Sequence, residues 1–484
     1  MARWSRTLAV THAARIHATF RAEGRAGSER AALVTFTFRD AAGGVVLPAG
    51  DLPMHPVLGA YHYLEQGVGA PAVTDVQLDV PPEACALTVE GVQWKKAEPV
   101  HLAGEPDLAV GPAAAPAASA VAEYVRSIPA DASVVVLDTT APALGHKTLS
   151  LRPNRLALEY AAAGWWVIFF PFGSLQDNDS HVSERVRQFP RSEFTAFLDA
   201  AVERRGHHNV YVCSSFPGLH AVAAVDTLRA AGWTAVYEVR DDMEEFNRVG
   251  YSSWYRPELE ARVAGRADHV VTVSPRLARK MDVLTRSQDR RAVVVPNAVA
   301  SELVVRAAAL RTPEAMARRE STRKVGYVGH LTASWFDWPL LTRWAERNPG
   351  VEVEIVGHGI PEDLALPDNV AYLGPRSHAE LLDVVGEWKV GLIPFLPSPL
   401  TSAVDPNKLY EYLALGLRTV TAEMGAVRSA PATWVYRGAE EFDGCVAAAL
   451  ADTADKSATV EAYLATATWQ ARAATMIQTW GSRG

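Results

Sequence analysis

From Ser133 onward the sequence alternates short apolar runs with amphipathic ones, and it does so in two blocks. "SVVVLDTT", "WWVIFF", "NVYVCSS", "TAVYEVRDD", "HVVTVS" and "AVVVPN" are the apolar runs of the first block. "KVGYVG", "VEVEIVG", "NVAYLG", "KVGLIPF" and "RTVTAE" are those of the second, which opens at Lys324. Runs of helical period such as "RPNRLALEYAAAG", "PRLARKMDVL" and "PLLTRWAERN" lie between them. A short, wholly apolar strand suits a parallel sheet covered on both faces by its crossover helices. The alternation therefore predicts two doubly wound α/β domains, with ligands at the carboxyl ends of the strands. The last helical stretch, from about Thr453 to Trp480, has no strand after it.

The first 102 residues follow another rule. "RIHATFRA", "ALVTFTFRD", "AYHYLEQ", "VTDVQLDV" and "CALTVEGVQW" show partial period-two alternation, separated by turn signals such as "AAGG" and "DVPP". Short strands at this spacing predict a small β-sandwich. "AGEPDLAVGPAAAPAASA", residues 103–120, is rich in alanine and proline and reads as a linker. The expected division is a β-rich accessory domain at 1–102, a linker at 103–120, one Rossmann-like domain at 121–310, and a second at 311–484 with a terminal helix.

Composition removes several classes of function. The net charge is −8 and no basic cluster is present, which argues against nucleic-acid binding. Cys85, Cys213 and Cys445 lie far apart with no metal-ligand spacing, so a reducing cytosol is the simplest setting and three small buried apolar residues the simplest role. The amino-terminal stretch has arginines but no sustained apolar region, so no secretory signal is expected. The most apolar window, Ala161 to Phe172, is shorter than the roughly 20 residues of a membrane helix and is broken by Gly164 and Pro171. It reads as a buried strand over 165–170. Peripheral membrane contact stays open.

"DPNKLYEYLALG", Asp405 to Gly416, is the most informative short stretch. Asp405 is the expected N-cap, Pro406 the first helical residue and Gly416 the stop. Lys408 then sits in the first turn, where the helix dipole disfavours a cation. That placement makes sense when an anion binds there, because a helix start offers free N–H groups to phosphate. Lys408, Glu411 and Leu415 share one face, with Leu409 and Leu413 inward. The plain alternative is an exposed Lys–Glu pair worth a few tenths of a kcal/mol.

These segments, in this order, resemble GT-B-fold glycosyltransferases of the retaining family-four type. The resemblance is strong over about 320–425. It is weaker over about 132–300, where "ADHVVTVSPRLARKM" and "VVVPNAV" carry it, and absent over 1–110. It implies an α/β fold with a GT-B-like pair of doubly wound Rossmann-like domains, preceded by the small β-sandwich-like domain. It implies transfer of a sugar from a nucleotide diphosphate sugar, UDP- or GDP-linked, to a glycan, lipid-linked or small-molecule acceptor. It also implies retained anomeric configuration, no cofactor and no metal, while the cysteine pattern above sets the expected location as cytoplasmic, with membrane association open. The second Rossmann-like domain would hold the donor and the first the acceptor. The donor set would be Gly329, His330, Gly357, Arg376, Asn407, Lys408, Leu409 and Glu411, with Lys408 on the diphosphate and Glu411 on the ribose hydroxyls. Lys408, His330 and Asp242 are the catalytic candidates. His146, Arg240, Asp241 and Asp242, at or after strand ends of the first domain, are the acceptor candidates. Asp242 as a helix cap is the plain alternative. His220 is expected in a similar loop.

Two departures from the family pattern stand out. Asp337 and Trp338 occupy the region where many members carry a phosphate-binding lysine. Ala403 stands eight positions before Glu411, where many carry a second glutamate. Thr401, Ser402 and backbone N–H groups are then expected to meet the sugar. Two rival classes remain: a nucleotide-sugar epimerase, and a non-catalytic sugar-binding protein on a decayed transferase fold.

Overall fold

The computed structural model describes residues 4–11, 14–24, 32–46, 54–55, 59–65, 67, 69–81, 83–93, 100–112, 119–145, 151–172, 175, 181–206, 208–285, 291–361, 363–376, 378–425 and 427–481. The chain divides into two compact units. One holds Met1–Pro129, Pro190–Arg205 and Ser252–Arg256; the other holds Ala130–Phe189, Gly206–Tyr251 and Pro257–Gly484.

The first unit is built on two antiparallel sheets. Its strands are β1 (Trp4–Ala9), β2 (Ala14–Glu23), β3 (Ala32–Arg39), β4 (Val45–Val46), β5 (Met54–His55), β6 (Gly59–Tyr63), β7 (Ala72–Asp79), β8 (Ala86–Gln93), β9 (His101–Leu102) and β10 (Asp107–Pro112). One sheet runs β1-β8-β3-β6-β5 with β4 beside β3; the other runs β10-β2-β7 with β9 beside β2. Period-two alternation is cleanest in β2, where Ile16, Ala18 and Phe20 face the core. On the other face Arg15 pairs with Asp79 at 2.7 Å. The linker reading of 103–120 is corrected over 107–112, because β10 pairs with β2 from Asp107↔Thr19 to Pro112↔Ala14. Proline and glycine there suggested a spacer, yet an edge strand tolerates Pro112, since only one of its sides bonds. Residues 113–118 lie outside the described residues. The unit also takes in the helices Ala120–Ser127 and Phe194–Glu203, tied by Ser119 Oγ and the Val121 N–H, both donating to Glu193.

The second unit contains two sheets. The first comprises β11 (Val134–Thr139), β12 (Trp166–Phe170), β13 (His181–Ser183), β14 (Val186–Gln188), β15 (Asn209–Ser214), β16 (Thr234–Val239), β17 (His269–Thr272) and β18 (Val293–Val294). Its order is β13-β14-β12-β11-β15-β16-β17-β18, and only the β13–β14 pair is antiparallel. The second comprises β19 (Lys324–His330), β20 (Glu352–His358), β21 (Val370–Gly374), β22 (Val390–Ile393), β23 (Arg418–Ala422) and β24 (Thr433–Tyr436), all parallel, in the order β21-β20-β19-β22-β23-β24. Every residue of β11, β15 and β23 is buried, as the apolar runs required. Cys213 is buried in β15, whereas Cys85 of the sandwich is exposed and Cys445 half-buried. The domain boundary at 311 needs one correction. The helix Trp469–Gly481 puts Trp469, Met476 and Trp480 into the core of the first sheet, beside Tyr160 and Trp165. No helix among the described residues is long and apolar enough to cross a membrane.

Gly326 of β19 lies against Trp388, a fully buried ring whose Nε1–H donates to Glu354 at 2.7 Å. A Cβ there would fall 2.3 Å from the ring. Gly326→Ala should therefore destabilise the second sheet by about 1–3 kcal/mol. Chemical denaturation reads this as a lower midpoint; an unchanged midpoint would contradict the packing described.

Candidate functional site

The helix that carries Lys408 begins one residue later than the sequence suggests. It runs Asn407–Ala414, with Pro406 as its N-cap and no side chain capping it. Asp405 is not the cap. Its carboxylate accepts from the Asn297 N–H at 2.5 Å and from the Tyr410 hydroxyl at 3.0 and 3.1 Å. The start of the helix is thus left without the acidic side chain that normally satisfies it. Gly416, with φ +76°, ends the helix as expected.

Lys408 folds back from this start toward β19. Its Nζ lies 5.4 Å from the Tyr327 ring centroid and 5.8 Å from that of Phe395. The ammonium makes no hydrogen bond or ion pair among the described residues. Burial pushes its pKa down, against the field of Glu411. Gly329 is required at this point: its φ is +148°, and a Cβ would sit 2.4 Å from Lys408 Cε. Gly357, its neighbour in register on β20, has φ +145° and would place a Cβ 1.8 Å from the Gly329 carbonyl oxygen. Two adjacent strand ends are therefore stripped to backbone beside a cation that has no anionic partner among the described residues. Glu411 is half-buried one turn beyond Lys408, and Leu409 is buried beneath both. The Asn407 Oδ1 is buried without a hydrogen-bond partner among the described residues.

His330 ends β19. Burial first, then His358 and Lys408, pushes its pKa down, so a neutral imidazole faces this positive corner. Arg376 is exposed two residues after β21 and has no partner among the described residues. Asp337 is accounted for structurally, because it caps the helix Trp338–Arg347 by accepting from the Leu340 N–H at 2.9 Å. Thr401 is also committed. It is buried in a capping box with Ser398, and its hydroxyl donates to the Leu396 carbonyl at 2.5 Å. The Ser402 hydroxyl donates to the Pro399 carbonyl. The expectation that Thr401 serves a ligand is therefore corrected, and that of Ser402 loses its donor proton to a local bond.

On the first sheet, Arg240, Asp241 and Asp242 leave the carboxyl end of β16 as expected. Arg240 is buried and donates through Nη2 to Thr140 Oγ1 at 2.5 Å and to the Ser214 carbonyl at 3.5 Å. Asp242 takes the structural alternative. It accepts from the Glu245 N–H as the cap of the helix Met243–Arg248, and it pairs with Lys280 at 2.5 Å. Asp241 has no hydrogen bond among the described residues. Burial pushes its pKa up to about 6, with Arg240 opposing the shift and Asp242 adding to it. His220 stands in the first turn of the helix Leu219–Ala230 rather than in a loop. Its Nε2 lies 3.0 Å from the buried carboxylate of Asp138, which also accepts from the Tyr211 hydroxyl at 2.6 Å. His146 lies outside the described residues.

A buried junction that the sequence did not reveal joins the two sheets. Arg152 donates through Nε to Glu238 of β16 at 2.8 Å, and both side chains are almost fully buried. Its Nη1 donates to the Pro296 carbonyl at 2.8 Å. Asn297 in turn donates through Nδ2 to the Asp405 carbonyl at 2.7 Å. Arg472 of the carboxyl-terminal helix donates to the Asn297 carbonyl at 3.1 Å. The sequence signal was "PN", one residue after β18.

No family model matches the chain. TuaH of Bacillus subtilis, which carries the name of a teichuronic acid biosynthesis glycosyltransferase, is 26% identical over 216 residues, 43% of this chain and 52% of that protein. The chain therefore matches about half the length of that relative. Among solved structures, sucrose-phosphate synthase from Thermosynechococcus elongatus is 17% identical with a TM-score of 0.51, covering 72% of this chain and 98% of that one. HepE of Anabaena, in complex with UDP and glucose, is 14% identical with a TM-score of 0.51, covering 72% and 100%. A trehalose-6-phosphate protein from E. coli, bound with UDP-2-fluoro glucose, is 12% identical with a TM-score of 0.53, covering 73% and 100%. These likenesses establish the GT-B fold of the paired Rossmann-like domains.

Asp241 supplies a test of the site's electrostatics. Its folded pKa, about 6, lies above the ordinary aspartate value of 3.8. Between those values the folded chain binds more protons than the unfolded one, so the contribution is favourable at low pH and is lost as pH rises through about 6. Asp241→Asn should raise the melting temperature relative to the parent at pH 8, with the gap closing toward pH 4. A gap independent of pH would remove from the account a half-buried carboxylate without a hydrogen bond among the described residues.

Proposed function

We propose that the chain is a glycosyltransferase resembling the retaining family-four type, which moves a sugar from a nucleoside diphosphate sugar to a carbohydrate or lipid-linked acceptor in the cytoplasm. One observation carries the reading. An ammonium without a hydrogen bond or ion pair among the described residues and a helix start without a side-chain cap occur together at the carboxyl ends of a parallel sheet, which is where phosphate binds in open α/β folds. The UDP and UDP-2-fluoro glucose named with the structural neighbours supply the ligand class.

In this reading the donor diphosphate lies on the first-turn amides and Lys408, with the Gly329 and Gly357 backbones permitting close approach. Glu411 accepts from the ribose hydroxyls. His330, held neutral, donates or accepts one hydrogen bond beside the phosphates. The bond from the anomeric carbon to the diphosphate oxygen breaks while an acceptor hydroxyl adds to the same face of the sugar. The hydroxyl proton passes to the departing phosphate oxygen, so the configuration is retained and no side-chain base is needed. Charge on the leaving group is met by fixed donors, which need no reorganisation during the reaction. A metal bridged by Asp241 and Asp242 is disfavoured because Asp242 is already held by Lys280 and a helix start.

Lys408→Ala and Glu411→Ala should each weaken UDP binding by about 1.5–3 kcal/mol, the range for a hydrogen bond to a charged group. That corresponds to roughly 10- to 150-fold in Kd. Calorimetric titration with UDP and GDP also identifies the base. Parent-like affinity in both variants would remove the site assignment.

Turnover should survive EDTA. Release of free nucleotide from a nucleotide-sugar panel, with and without acceptor, measures it. Activity lost in EDTA and restored by manganese would return Asp241 and Asp242 as ligands. A sugar altered without any acceptor would indicate an epimerase, and no release under any condition would indicate a binding protein.

A further inference from the structure

Five rings of the second unit form one contiguous cluster, in which Phe246 and Tyr251 also lie 6.0 Å apart. His358 and His330, at the ends of β20 and β19, have centroids 4.7 Å apart. His330 lies 5.4 Å from Trp335. Trp335 lies 5.9 Å from Tyr251 and 6.2 Å from Phe246, which belong to the segment after β16. The Tyr251 hydroxyl is 3.4 Å from Thr332 Oγ1. The cluster therefore connects the Gly329–His330 corner with the segment that opens on Asp241.

These rings are not a core. Tyr251 is 39% exposed, His358 is exposed, and Trp335 and Phe246 are only half-buried. Yet the backbones that carry them are held. The Leu396 N–H donates to the Trp335 carbonyl at 2.8 Å, and the Tyr251 N–H to the Phe246 carbonyl at 2.9 Å. Rings kept on a rigid support and left partly open to solvent suit a ligand with an apolar face.

The surrounding charges restrict that ligand further. Arg248 pairs with Glu244 and Glu245, Lys280 with Asp242 and Glu244, and Arg240 donates to Thr140 and Ser214. Arg240 and Arg248 of the segment, and Lys280 of the helix Pro275–Thr285 that pairs with it, are each already engaged. A phosphorylated or sulfated ligand needs a cation that can be spared for it. A neutral pyranose needs only a ring face for its C–H face and an acceptor for its hydroxyls. The Asp241 carboxylate, without a hydrogen bond among the described residues, is such an acceptor.

We propose that Trp335 and Tyr251, backed by Phe246, form the stacking wall of a subsite for an uncharged pyranose of a saccharide acceptor. Calling the occupant an acceptor rests on the transferase reading; the stacking wall itself does not. The test is a glycan array carrying neutral, sulfated and phosphorylated saccharides, probed with the full chain and with Trp335→Ala, Tyr251→Ala and Trp335→Phe. The parent should retain neutral saccharides. Each alanine variant should lose at least tenfold of that signal, and Trp335→Phe, which keeps a ring, should stay within threefold. Circular dichroism confirms that each variant is folded. The proposal is overturned if the parent retains no glycan, if it retains only charged glycans, or if folded alanine variants match it. A parallel UDP titration of the parent separates the two claims: absent UDP binding with ring-dependent glycan retention would overturn the transferase reading alone.

Discussion

The site depends on the buried polar junction between the two sheets. Glu238, held by Arg152, stands three residues before Asp241; Asp405, held by Asn297, stands three residues before Lys408. The two halves of the candidate site hang from the two ends of one network. Such a network adds little to stability over an apolar core, because desolvating the ions offsets their attraction. Removing one partner is different, since it leaves a buried charge uncompensated. What the network provides is position: each bond is directional, so the strand end and the helix start are tied in a fixed relation. The carboxyl-terminal helix completes it, packing Trp469, Met476 and Trp480 into the first core while Arg472 reaches Asn297.

The charged groups at the site share one character. Lys408 and His330 are pushed toward their neutral forms and Asp241 is pushed toward its own, each chiefly by burial. None gains a compensating bond in the described residues of the kind that Asp242 gains from Lys280. Groups held against their own solvation in this way mark sites where a ligand, rather than the fold, supplies the missing partner. By contrast Asp242, Asp337 and Thr401 are satisfied by caps and pairs nearby, and the fold alone accounts for them.

What was legible in the sequence follows from the range of each interaction. The strand and helix alternation of both sheets, the glycine at Gly416 and the inward faces of Leu409 and Leu413 are local, and they stand as expected. β10 was hidden because its composition suggested a spacer, while its pairing partner β2 lies some ninety residues earlier. Asp405 had the sequence of an N-cap, but Asn297, 108 residues away, claims it. Asp242 had a local cap as its plain alternative, and Lys280, 38 residues on, strengthens that role. The return of the last helix to the first core, and the cluster of rings around Trp335 and Tyr251, depend on folding distant segments together and leave no local signature.

A crystal structure of the chain soaked with UDP tests the central claim most directly. The account predicts the diphosphate at the start of the Asn407–Ala414 helix, with Lys408 Nζ on a phosphate oxygen, Glu411 on the ribose hydroxyls, and the Gly329 and Gly357 backbones against the phosphates. Nucleotide bound elsewhere on the chain, or no nucleotide at saturating UDP with that helix start free of lattice contacts, would contradict it.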